Sequence, residues 1–253
     1  MEQQTELPEI TITPDEAAQY EEFKRTRREN EIAIRLQKAV IDATQRETDR
    51  AALARACAVA KKYRASAVAV SPVNVSLCRR ILEESGVGVI CFAGGTGESL
   101  PSVKKTEAKK AFSCGAGEIR LVLCYSRLAC GDFNYLKKEV KKVRKAAKKR
   151  VLTVSLEDRS LTREEIALGV RAAREGKADG VCVRGELSHL ASAIDAGNGL
   201  RVDVSGVENA EQFNSLLRAG ASRAYTARLE SVAEELFREA GRAAVVKNQA
   251  ERK

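Results

Sequence analysis

VLTVSLEDRSLTREEIALGVRAAREGKADGVCV, residues 151–183, reads as a strand, a helix and a second strand. Residues 151–156 are mainly apolar and β-branched, without the polar alternation of a half-exposed strand, so both faces are expected to be buried. Residues 162–175 carry a helical pattern, and residues 180–183 are again short and apolar. Two such strands joined by a helix run parallel, because the helix returns the chain to its starting end.

The same unit recurs on both sides of this stretch. Further strands are expected at 39–44, 66–71, 87–92, 118–124, 200–204 and 222–226, and further helices at 48–63, 75–84, 102–114, 135–149 and 210–219. Eight buried parallel strands, each followed by a helix, predict an α/β fold, a (β/α)8 TIM barrel whose functional residues lie at the C-terminal strand ends. Thr13, Pro14, Asp15 and Glu16 combine a capping hydroxyl, a proline and two acids, the signature of a helix start. The chain therefore divides into an N-terminal helical extension at 1–38, a barrel at 39–240 and a polar tail at 241–253. The extension is assigned to covering a barrel end or to an oligomer contact, and a homo-oligomer is expected.

The composition limits what these elements can do. The 253 residues are 44% hydrophobic, enough for one large core, and no apolar run approaches the roughly 18 residues that span a bilayer. The acidic, polar N-terminus is unlike a signal peptide, so a soluble cytoplasmic protein without membrane contact is expected. Seven cysteines without a CxxC pair, and a single histidine, His189, argue against disulfides and against a metal site. No cofactor is expected. The formal charge of +9 is concentrated in residues 137–150, KKEVKKVRKAAKKR, with nine Lys/Arg against one Glu. Leu136, Val140, Val143 and Ala147 give that segment an apolar stripe, so its lysines face outward, as a solvated surface or as a site for an acidic partner or polyanion.

Several stretches, in order from Ala39 to Leu229, resemble the deoxyribose-phosphate aldolase family. They are Ile41-Asp42-Ala43-Thr44, the strand ending at Ser71-Pro72, Lys105 with Glu107 and Ala108, and Gly115-Ala116-Gly117-Glu118-Ile119. Leu128, Gly131 and Asp132 follow, then Glu157 and Leu161-Thr162-Arg163-Glu164-Glu165-Ile166. The resemblance implies class I aldol cleavage, with an imine-forming lysine, a second lysine that lowers its pKa and an aspartate that shuttles protons. By the same resemblance these three positions hold Cys182, Asp203 and Arg120. The phosphate site keeps Ser205 and Gly206 but has Val207 for a second glycine, and Tyr225 precedes Thr226 where the family has glycine.

Independently of that resemblance, an imine lysine must project from a strand end into a desolvated site, and every lysine lies outside the expected strands. Lys177 comes nearest, before its strand and at the wrong end. Arg120 and Asp203 are expected to pair, as if their charges were exchanged. The leading expectation is an aldolase-like barrel without aldolase activity, a binding or structural module whose protein or small-molecule partner cannot be read. A second is an enzyme of altered chemistry using Asp42, Glu157, Asp158 and Arg184, or a Cys182 thiolate activated by Arg120 or Arg184. A third is a polyanion-binding protein acting through residues 137–150.

Overall fold

Strands that are apolar on both faces need cover outside and filling inside, and the chain supplies both. The computed structural model describes residues 14–44, 49–158 and 160–250. The strands are β1 (Ala39–Asp42), β2 (Ala67–Val70), β3 (Gly88–Ala93), β4 (Glu118–Val122), β5 (Val151–Leu156), β6 (Gly180–Arg184), β7 (Arg201–Ser205) and β8 (Ala224–Thr226). They close in sequence order into a barrel, all parallel, with β8 returning to β1 through Val40 opposite Tyr225.

The helices are α1 (Pro14–Leu36), α2 (Arg50–Lys62), α3 (Val75–Ile81), α4 (Pro101–Ser113), α5 (Tyr125–Ala129), α6 (Phe133–Ala147), α7 (Arg163–Glu175), α8 (Leu187–Gly197), α9 (Ala210–Arg218) and α10 (Leu229–Ala250). Their starts follow ordinary capping chemistry. Asp49, Asp132 and Asn209 each accept a backbone N–H in the first turn of α2, α6 and α9, and Thr162 with Glu165 forms a capping box on α7.

The eight-stranded barrel and the N-terminal helix match the sequence expectation, with shifts at the element ends. β1 ends at Asp42 because its carboxylate takes the backbone and side chain of Thr44, which turns the chain. β4 ends at Val122 because α5, a single short turn not anticipated from the pattern, follows at once. α8 was also unanticipated, and α10 runs through residue 240, so residues 241–250 continue a helix. Thr13, the expected cap of α1, lies outside the described residues. α1 packs against α10, its Ile32 and Leu36 are buried, and Arg35 reaches Asn214 on α9 at 2.8 Å.

Period-two alternation sorts the strand side chains. Ile41, Val68, Cys91, Ile119, Leu121, Leu152, Val154, Val181 and Val202 join the large apolar layer under the helices. Val40, Ala67, Ala69, Ile90, Cys182 and Tyr225, with Phe92, form a second, separate cluster inside the barrel. On β4, β5 and β7 the inward positions are polar instead, with Glu118, Arg120, Thr153, Ser155, Asp203 and Ser205 all buried.

One ion pair fixes the segments around the C-terminal side of β3 and β4. Lys104 on α4 and Glu139 on α6 are both fully buried and bonded to each other. The Lys104 ammonium also donates to the carbonyls of Gly97 at 2.5 Å and Val122 at 2.8 Å, while Glu139 accepts the Cys124 N–H at 3.2 Å. Gly97 has φ +95, and a Cβ there would stand 2.1 Å from the Leu123 carbonyl oxygen, so only glycine allows this approach. Glu139→Gln should leave a buried ammonium without its counter-charge and cost about 3–5 kcal/mol in urea unfolding. Lys104→Met/Glu139→Leu should recover most of that loss, and a double variant as unstable as the single one would show that the two charges are not coupled.

Candidate functional site

The strand order brings the inward residues of β4 to β8 into one lumen. Cys182 lies opposite Ser155 on β5 and Asp203 on β7, and Arg120 lies opposite Phe92 on β3 and Thr153 on β5. Arg120 is completely buried and forms an ion pair with Glu157, just beyond β5, at 2.6 Å. The same guanidinium nitrogen donates to the Cys182 thiol. The Arg120 Cζ lies 4.0 Å from the Tyr225 ring centroid and 4.9 Å from that of Phe92, distances at which the ring faces attract a cation. Although burial alone disfavours its charge, the acidic groups and rings around it hold Arg120 protonated.

The expected Arg120–Asp203 pair is not the one formed. Asp203 bonds to Arg223 at 2.7 Å and lies 3.4 Å from Arg201, while Arg120 takes Glu157. Proximity along the strands explains the difference. Arg201 is two residues before Asp203 on β7, Arg223 immediately precedes the neighbouring strand β8, and Glu157 ends the strand beside Arg120. Glu118 completes the lower network, accepting from Thr153 at 2.6 Å, Arg201 at 2.9 Å and Arg223 at 2.7 Å. Arg223 also reaches the Tyr225 hydroxyl at 3.2 Å.

Burial pushes the Cys182 thiol well above its ordinary value, against the opposing effect of Arg120. A thiol without solvent access, held in its neutral form, is no nucleophile, and the thiolate reading is corrected accordingly. Burial likewise pushes the Tyr225 phenol up, so this ring fills the lumen as a neutral group.

Of the residues expected at the barrel mouth, Asp42 is engaged by Thr44 and Asp158 by the backbone and hydroxyl of Ser160. Ser205 donates to the Val183 carbonyl at 3.4 Å, and Thr226 accepts the Arg228 N–H at 3.0 Å. Glu157 is shared between Arg120 and the Ser155 hydroxyl. Arg184 differs from all of these. It is half-buried at the end of β6 and has no carboxylate partner among the described residues. Gly206 has φ +71, and a Cβ on it would stand 2.5 Å from the Arg184 Cζ, so this glycine makes room for the guanidinium.

No family model matches the chain. Curated relatives do. The deoxyribose-phosphate aldolase of Thermoanaerobacter pseudethanolicus is 32% identical, over 71% of this chain and 86% of the relative. That of Mycoplasma pneumoniae is 31% identical, over 72% of this chain and 85% of the relative. The chain belongs to the deoxyribose-phosphate aldolase family. A solved aldolase superposes with a TM-score of 0.75 at 25% identity, covering 81% of this chain and 96% of its own. The deoxyribose phosphate aldolase of Aeropyrum pernix gives a TM-score of 0.73 at 20% identity, over 86% and 97%, and this likeness speaks for the fold alone.

Within this aldolase fold, none of the eight strands carries a lysine. Lys177 sits before β6 with φ +66, at the end away from Arg184 and Glu157. His189 is on α8, 3.9 Å from Glu186, outside the lumen. All seven cysteines are free, five of them buried. Two features escaped the sequence reading, namely the roles of Arg201 and Arg223 as lumen cations and the Lys104–Glu139 pair. The signal for the second was phase, since Glu139 falls on the apolar stripe of Leu136, Val140 and Val143, and Lys104 is in step with Ala108 and Ala111.

The lower network makes a pH prediction. Desolvation raises the Glu118 pKa, but Arg223 and Arg201 more than offset it and hold the carboxyl below its usual range. A depressed folded-state pKa contributes stability that is present above the unfolded value of about 4.3 and lost as pH falls through the folded value. The stability gap between the wild type and Glu118→Gln, measured by urea unfolding, should therefore be full near neutrality and narrow as the solution is acidified. A gap that stayed constant down to about pH 3 would show that the charge of Glu118 contributes nothing to the fold.

Proposed function

We propose that this member of the aldolase family does not form an imine with carbonyl substrates and acts as a binding or structural module on an aldolase barrel. The observation that carries this reading is Arg120. A buried cation, paired with Glu157 and lying against Cys182, Phe92 and Tyr225, occupies the space in which a strand-borne lysine would work. An imine lysine reacts as the neutral amine, and a fixed guanidinium next to it would have to be accommodated together with the substrate. The three positions that the family resemblance assigns to catalysis hold Cys182, Asp203 and Arg120, and each is bound into the lumen network or buried in its neutral form. Tyr225 fills the space above the Arg223–Asp203 pair, where the resemblance places a glycine of the phosphate site.

A second reading is favoured by Arg184, a cation at the strand ends with no acidic partner among the described residues. It would give the mouth a handle for a small anionic compound, whether the protein binds that compound or transforms it.

Sodium borohydride added in the presence of deoxyribose 5-phosphate is expected to add no more mass to the native protein than to a urea-unfolded control, and no glyceraldehyde 3-phosphate should be released. A stoichiometric borohydride-stabilised adduct on one lysine, absent from the unfolded control, would overturn the proposal. In the same experiment, brief alkylation with iodoacetamide at neutral pH should label the exposed Cys114 and Cys130 and leave Cys182 unmodified.

A further inference from the structure

The residues with no place in the lumen are the lysines of α6, and their arrangement is more specific than a high net charge. Leu136, Val140, Val143 and Ala147 are buried against the barrel, and every exposed residue from Lys138 to Arg150 is basic. Lys138, Lys141, Lys142, Lys145, Lys148 and Lys149 have no carboxylate within ion-pair distance among the described residues. Their neighbours Lys137 and Arg144 are neutralised instead, by Glu175 and Asp179 on the α7 side. The one acid of the segment, Glu139, is buried with Lys104 and leaves the outer face without a negative charge.

α4 packs alongside α6, joined by the Lys104–Glu139 pair and by Arg150, whose Cζ lies 4.8 Å from the Phe112 ring centroid. Lys109 and Lys110 of α4 are also exposed and have no carboxylate within ion-pair distance among the described residues, which adds positive charge on the neighbouring helix.

Compensation of the helix dipole does not account for this pattern. Cations stabilise a helix when they lie in its last turn, which explains Lys145 but not Lys138, Lys141 and Lys142. Like charges three and four residues apart repel, so the unpaired row weakens the helix that carries it. On the helical period, Lys138, Lys141, Lys142 and Lys145 fall within about 100° of the circumference. The run from Lys138 to Lys149 is on the order of 15 Å long, which matches roughly four or five base steps of 3.4 Å along one strand of a duplex.

We propose that the face made by α6 and the adjoining turns of α4 binds the phosphate backbone of double-stranded nucleic acid, without sequence preference. Only the outer third of α6 projects from the barrel, so its lysines meet phosphates and do not enter a groove to read bases. Single strands fit less well, because they are held by stacking on exposed aromatic rings. The rings around the segment are already covered, Phe133 by the Arg171 guanidinium at 4.0 Å and Tyr135 by that of Arg127 at 5.0 Å, while Phe112 is buried. A membrane surface fits less well too, since no exposed apolar residue lies between Lys138 and Arg150 to enter it.

The test is fluorescence anisotropy of the full chain with a labelled mixed-sequence DNA duplex of about 24 base pairs, across salt concentrations from about 50 to about 200 mM. Binding in the range of roughly 10⁻⁶ to 10⁻⁴ M is expected near physiological salt, and six lysine contacts should weaken it on the order of 10³-fold across that salt range. Lys142→Gln should lower the slope of log affinity against log salt by about one. Lys142→Glu/Lys145→Glu should weaken binding at least roughly 30-fold at low salt, whereas Arg25→Glu/Arg28→Glu on α1, with the same change of net charge, should alter it less than about threefold. Lys142, Lys145 and Arg25 are exposed and Arg28 is half-buried, and unchanged thermal melts by circular dichroism establish that each variant is folded. The proposal fails if the duplex does not bind at the lowest salt, or if both charge-reversed variants lose affinity equally. It also fails if single-stranded DNA, polyglutamate or anionic vesicles bind more tightly than the duplex. None of these readouts depends on whether the barrel retains aldol chemistry.

Discussion

A guanidinium cannot shed its proton inside a protein, so Arg120 imposes its charge on everything near it. Carrying that charge in a lumen closed to water requires a carboxylate in contact, and Glu157 supplies it from the end of the adjacent strand. The remaining neighbours follow from the same requirement. A soft thiol and two aromatic faces tolerate a cation without adding one, as a lysine at position 182 would. Below this level a second neutral set forms, with Glu118 and Asp203 shared between Arg201 and Arg223. The polar half of the lumen is thus a stack of compensated charges facing an apolar half built from Val40, Ala67, Ala69 and Ile90.

The outside of the barrel and its inside follow different rules. Outside, apolar strand faces meet apolar helix stripes, and the barrel they build superposes on a solved aldolase at 25% sequence identity. Volume and hydrophobicity are all that layer demands, so many sequences satisfy it. In the polar half inside, the charged side chains are bonded to one another, and changing one charge changes the requirement on the next. The outer layer therefore constrains the sequence less tightly than the lumen does.

The same distinction explains what could be read from the sequence. β5 was legible to the residue, because its apolar run is bounded by Arg150 and by Glu157. The barrel order followed from eight repetitions of that pattern. α5, a five-residue turn, carries too little periodicity to be seen, and α8 begins at Leu187 after Glu186, whose side chain makes no capping bond to mark the start. That Arg120, Cys182 and Asp203 belong to the lumen was implied by the family resemblance. Which of them touch was not, because pairing across a barrel depends on stagger and side-chain reach. Arg223 makes the point, since it lies just before β8 in a segment expected to be strand, and its long side chain reaches both Glu118 and Asp203.

The contact between Arg120 and Cys182 also governs how this sequence can change over time. A lysine introduced at position 182 would bring an ammonium against the Arg120 guanidinium in a buried space where Glu157 is already bound to Arg120 and Asp203 to Arg223, a repulsion that low polarity amplifies. The substitution becomes tolerable only after Arg120 has gone, and removing Arg120 first strands Glu157 and leaves a gap beneath Tyr225. Each single step toward a lysine-bearing lumen passes through a destabilised protein. The interior thus works as an interlock, in which each of these neighbours makes the presence of the others a condition of stability.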